Sequence, residues 1–177
     1  MIRVLSRPAV LLAVLLAAAG YERPPAAVAA TAPSVDAFLD DGRPLAGLPR
    51  LKLLLGAREL DAEIALRPEH IMKGMMWRTN VPETSGMLFV FSAPYRPGFY
   101  MRNVPMNIDC AYLAPDGTIL EIHRLEKFNT NPVTAGSANV QFVLETAEGW
   151  FRRHGVTTGM VVRTEAGALR DSFRFGR

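Results

Sequence analysis

Cysteine occurs once in this chain of 177 residues, at Cys110. A single cysteine excludes an intrachain disulfide and any cysteine-based zinc site. Its place among apolar residues reads as a small buried hydrophobe rather than a nucleophile. Histidine is scarce too: His70, His123 and His154 fall on separate segments with no metal-ligand spacing. No metal and no cofactor are therefore expected. The longest basic run is the pair Arg152-Arg153, the kind of charge that ordinarily marks a solvated helix end. The formal charge of +3 falls to +1 once Arg3 and Arg7 are set aside with the leader described below. A nucleic-acid grip needs a concentrated cationic face, so that partner class is excluded. Phosphate loops, dinucleotide fingerprints and a glycine-flanked serine nucleophile are all missing.

What the chain does have is organised around residues 86–117, GMLFVFSAPYRPGFYMRNVPMNIDCAYLAPDG. Two apolar runs, 87–91 and 108–113, flank FYMRN, and Asp116-Gly117 leads into a third run, 118–125. Short runs rich in Phe, Val, Ile and Tyr and bounded by Pro and Gly predict β-strands. Residues 51–55 and the alternating segment 58–66 predict two more, with Leu60, Ala62, Ile64 and Leu66 on one face. Further strands are expected at 140–145, 160–164 and 169–175. Asp116-Gly117 fits a two-residue hairpin turn, because both residue types tolerate positive φ. Pro68 opens a short helix to about Met76 with Gly74 inside it. A second helix is expected over 146–154, capped by Thr146 and ended by Gly155. Residues 128–137 read as a long loop. The fold class is thus mainly β, a compact antiparallel barrel or sandwich with two short helices.

Ahead of this domain, residues 1–19 run from a basic start through an apolar stretch to Ala17-Ala18-Ala19. That is the plan of a secretory signal peptide, too short for a membrane span of about 20 residues. Residues 20–49, rich in Pro and Ala, read as a linker with one possible helical turn at 35–39. The folded domain is expected over 50–177, in a periplasmic or secreted protein without a membrane span after leader removal.

MKGMMWR at 72–78, GMLFVF at 86–91, FYMRN at 99–103, Asp109, Asp116-Gly117 and VLE at 143–145 occur in that order. This combination resembles the bacterial and archaeal DUF192 family, a domain of unknown function, over residues 51–163. Tyr100 stands where the family has Trp, and Asn107 where it has Pro, with Pro105 nearby. The resemblance implies a compact, mostly antiparallel β fold of unassigned activity. It marks Arg78, Met101, Arg102, Asn103, Asp109 and Glu145 as the family's positions.

Charged residues within apolar runs must pair, hydrogen-bond or line a wet pocket. One expectation is an ion-pair network of Arg78 with Glu145 or Asp109 that locks the fold. The other is a ligand cleft formed by Arg78, Tyr100, Arg102, Asn103, Asp109 and Glu145, with arginine as a fork and tyrosine as a stacking face. The leading expectation for function is a monomeric, non-catalytic binding module for a small polar ligand or an envelope partner. Its alternatives are an envelope hydrolase using Asp109 and Glu145 and a structural accessory protein. Six of the eight methionines lie between Met72 and Met106. Their thioethers suit Cu(I), but alternation with Phe, Trp and Val reads as core packing.

Overall fold

The computed structural model describes residues 34–173; the expected leader lies outside the described residues, as does Phe175. Ten strands are present among them. They are β1 (Arg50–Leu55), β2 (Arg58–Ala65), β3 (Ser85–Tyr95), β4 (Gly98–Phe99), β5 (Ile108–Leu113), β6 (Ile119–Leu125), β7 (Val133–Thr134), β8 (Val140–Ala147), β9 (Val162–Thr164) and β10 (Gly167–Ala168). Eight form one sheet in the order β10-β9-β1-β2-β3-β8-β5-β6, and β4 pairs with β7. The pairs are antiparallel except β2 with β3, which are parallel. A parallel pair needs a crossover, and the crossover carries the helix α2 (Pro68–Lys73).

Alternation along the central strands sorts the core into two parts. Met87, Phe89 and Phe91 of β3 and Cys110 and Tyr112 of β5 join Val143 of β8 in one apolar cluster. Their neighbours Leu88, Val90, Ala111, Phe142 and Leu144 join Trp150 and Phe151 in the other. The fold is mainly β and sandwich-like, as the strand pattern predicts. The barrel alternative does not apply, because the sheet is not closed. Residues 117–119, leading into β6, are stitched to residues 159–162, leading into β9: Thr118 bridges Val161, the Val162 N–H donates to the Gly117 carbonyl at 2.9 Å, and Ile119 exchanges backbone hydrogen bonds with Gly159 and Met160.

Several local expectations are corrected. α2 ends at Lys73, because Gly74 adopts φ +44° and breaks the helix instead of lying within it. Thr146 belongs to β8, so the cap of the short α3 (Trp150–Arg153) is Gly149. In the β5–β6 turn only Gly117 takes positive φ. Asp116 instead accepts the Thr118 N–H through its carboxylate at 2.9 Å. The expected strand at 169–175 is a 3-10 helix over Leu169–Ser172.

The stretch expected as a linker is packed from Ser34 onward. Ser34 caps the helix α1 (Val35–Leu39), and Leu39 and Leu48 are buried in the first cluster. α-Helices therefore number three among the described residues, not two, beside the 3-10 helix. Among them none is long and apolar enough to cross a membrane.

Gly117 offers a direct test of the stitch. It has φ +88°, and a Cβ there would lie 2.3 Å from the Val162 carbonyl oxygen. Gly117→Ala is expected to cost about 2–3 kcal/mol, from left-handed strain and the displaced bridge together. Urea denaturation measures it; a loss below about 0.5 kcal/mol, as for an ordinary surface change, would mean that the stitch carries no stability.

Candidate functional site

Glutamate 145 lies near the end of β8, across from Met87 of β3 and Cys110 of β5. Strand parity turns its side chain toward the first cluster, and only 4% of the residue is exposed. The carboxyl has no hydrogen-bond partner among the described residues. Burial pushes its pKa up to about 8, against the opposing pull of the Arg78 charge. A buried acid without a partner is costly, so what it faces decides its role.

It faces a cavity of about 190 Å³. One wall is α2 and the turn after it, which bring Met72, Met75 and Met76 to the cavity. Gly74 lets that turn lie close to the sheet: a Cβ there would stand 3.1 Å from the Phe89 ring. The opposite wall is the turn after β4, carrying Met101 and Val104. Phe89 and Phe99 meet edge to face at 4.9 Å on the lining. Tyr95, Tyr100 and Met72, each more than two-fifths exposed, form the outer part of the lining.

The two walls are tied together. Trp77, at φ 66°, donates its backbone N–H to the carbonyl of Asn103, itself at φ 58°. Asparagine tolerates that left-handed conformation better than most residues. Residues 34–45 then strap both walls from outside. The Trp77 indole donates to the Leu39 carbonyl at 2.8 Å. Lys73, only 2% exposed, donates to the Phe38 carbonyl at 2.6 Å and pairs with Asp41 at 2.7 Å. Arg102 and Asn103 both bind the Asp40 carboxylate.

The six residues singled out from sequence are thus dispersed. Tyr100 and Glu145 share the cavity. Arg102 and Asn103 hold the α1 strap instead. Arg78 neither binds Glu145 nor Asp109: it pairs with Glu63 at 2.6 Å and donates to the Leu45 carbonyl at 3.1 Å. That ion pair is close but poorly aligned, since Glu63 Oε2 and Arg78 Nε are buried without a true hydrogen bond. Asp109 lies beside Thr146, on the strand face opposite to that of Cys110 and Glu145. There it borders Phe151 and Arg152 of α3. Burial raises its pKa, partly offset by hydrogen bonds from the Gly149 and Phe151 backbone N–H groups. The one-cleft arrangement and the Asp109–Arg78 and Glu145–Arg78 pairs therefore do not form.

Sequence reasoning missed the methionine and phenylalanine lining. The spacing of Met72, Met75 and Met76 is the helical signal that placed them on one side, but it reads equally as core. Among the described residues, no group of three His, Cys, Asp or Glu side chains is placed to hold a metal ion.

The model of the DUF192 family, described as an uncharacterized ACR, matches residues 53–164, well over half of the chain. The protein belongs to this family. Every cavity residue named above falls inside the matched span, whereas the α1 strap lies before it.

Two solved structures are similar. A Sinorhizobium meliloti 1021 protein described as a candidate transcription regulator shares 28% identity at a TM-score of 0.61, covering 65% of this chain and 92% of its own. A Novosphingobium aromaticivorans DSM 12444 protein of unknown function shares 25% identity at a TM-score of 0.63, covering 68% of this chain and 89% of its own. Among curated proteins no relative matches.

Proposed function

We propose that this DUF192 protein is an exported, monomeric binding module whose ligand site is the cavity around Glu145. The observation that carries the reading is a buried carboxyl, without a hydrogen-bond partner among the described residues, opening on a cavity of about 190 Å³. Apolar walls with one convergent polar group are the usual make-up of a small-molecule site. The size is apt, since a cavity of about 150 Å³ is enough to take up benzene. The ligand is accordingly a small, largely apolar molecule with a single polar group, a narrower class than a generally polar ligand. Export rests on the basic, apolar, then small-residue order of residues 1–19.

The hydrolase alternative loses its chemical basis, because Asp109 and Glu145 sit on opposite faces of the sheet and do not flank one bond. A transcription-regulator role, the description attached to the Sinorhizobium relative, finds no support in a near-neutral chain without a basic run.

Benzyl alcohol is a suitable first probe, titrated into protein carrying methyl-labelled methionine. Resonances of Met72, Met75, Met76 and Met101 are expected to shift, while Met160, which packs on the other cluster, stays still. Shifts spread evenly over all methionines, or none at saturating probe, would overturn the reading.

A further inference from the structure

We infer that the Glu145 cavity selects an organic cation, an amine or quaternary ammonium on a small apolar body, and that Glu145 is its counter-ion. This rests on the binding reading above and names the ligand class for the same site.

Three independent features of the lining agree. First, Glu145 supplies a carboxyl that no hydrogen bond engages among the described residues. Second, four aromatic side chains line the same space, Phe89, Tyr95, Phe99 and Tyr100. Ring faces carry partial negative charge and attract cations, most strongly where water is excluded. Third, the lining has no free cation among the described residues. The ammonium of Lys73 is already held by the Phe38 carbonyl and Asp41 and lies 4.1 Å from the centre of the Phe38 ring. An anionic ligand would meet four aromatic side chains and a carboxyl that can donate to it only while protonated; the other side-chain donors on the lining are the hydroxyls of Tyr95 and Tyr100 and the ammonium of Lys73, already held by Phe38 and Asp41. The four methionine thioethers are polarizable and weakly accepting, which also suits a soft cationic head.

Binding is coupled to a proton. Without a bound cation Glu145 keeps its proton up to about pH 8, and an ammonium ligand is bound by the ionised form. The carboxyl O–H bond breaks as the cation arrives, and the proton leaves to solvent. The thiol and phenols near Glu145 are shifted upward, away from that range. Cys110, across β5, is pushed well up by burial and by Glu145 itself, and burial likewise raises Tyr95 and Tyr112. Arg78 is paired with Glu63, and Lys73 with Asp41.

The test compares three probes of one size, benzylammonium, benzyl alcohol and benzoate, by calorimetry on the folded protein. Benzylammonium should bind tightest and benzoate weakest. Its affinity should rise about 50-fold from pH 6 to pH 8, the change in the ionised fraction of an acid with pKa about 8. About one proton should be released per cation bound at pH 6, read from buffers of different ionisation enthalpy. In Glu145→Gln, benzylammonium should lose at least about tenfold in affinity together with its pH dependence, while benzyl alcohol still binds.

Binding of benzyl alcohol with no preference for benzylammonium would overturn the cation inference and leave the binding reading standing. Failure of all three probes would overturn both. Retention of the pH dependence in Glu145→Gln would remove Glu145 as the counter-ion.

Discussion

Glu145→Gln is expected to make the protein markedly more stable above pH 8 and to change it little below pH 4.5. The sign follows from where the proton resides. In the unfolded chain a glutamate releases its proton near 4.5, whereas in the folded protein burial holds it to about 8. Between those values the folded state binds more protons, so stability falls as pH rises. Each pH unit removes about 1.4 kcal/mol, and the full interval up to about 5 kcal/mol. Glutamine does not titrate and its neutral amide resembles the protonated acid in size and polarity, so the variant escapes this loss. Urea denaturation of both proteins at pH 4.5, 6.5 and 9 measures it. The two stability curves should diverge with pH; parallel curves would mean that Glu145 is hydrated and not buried.

Removing residues up to 49 should cost about 5 kcal/mol relative to a chain that begins at Ser34. That is a large share of the 5–15 kcal/mol that holds a typical domain folded. Two terms carry it. Leu39 and Leu48 are 5% and 8% exposed, and burying a leucine contributes about 1.5–3 kcal/mol. The strap also supplies both hydrogen-bonding partners of the buried Lys73 ammonium, the indole partner of Trp77, and the Asp40 carboxylate that Arg102 and Asn103 share. Equal denaturation midpoints for the two chains would show that the strap is an adornment. Because it pins both walls of the cavity, its loss should also weaken benzyl alcohol binding in any truncated chain that still folds.

Most strands were legible because local alternation reports which face is buried. Residues 58–65 show this well: Leu60, Ala62 and Ile64 are buried as their spacing predicts. The last segment was misread because Leu169, Asp171 and Phe173 alternate as in a strand, although Leu169–Ser172 is a 3-10 helix.

The site was legible only in part. Glu145 and Tyr100 stood out as polar or aromatic residues in family motifs, and they do share a space. Their separation from Asp109 depends on the pairing of Cys110 with Glu145, a long-range register that no local pattern contains. Arg102 and Asn103 found their partner at Asp40, in a stretch whose Pro and Ala content disguised its packing. Arg78 found Glu63, which reads from sequence as one of the outward residues of an alternating strand.

The position of β8 carries a consequence for how this chain comes to be folded. Although it is eighth in sequence, it lies between β3 and β5 and pairs with both. Until residues 140–147 arrive, those two strands lack their common neighbour and expose unpaired edges. Pairing β2 with β3 likewise waits on the crossover that carries α2. Contacts this distant in sequence slow folding. The nascent chain thus stays open until residues 140–147 have been made, the interval in which a chaperone would find it still unfolded.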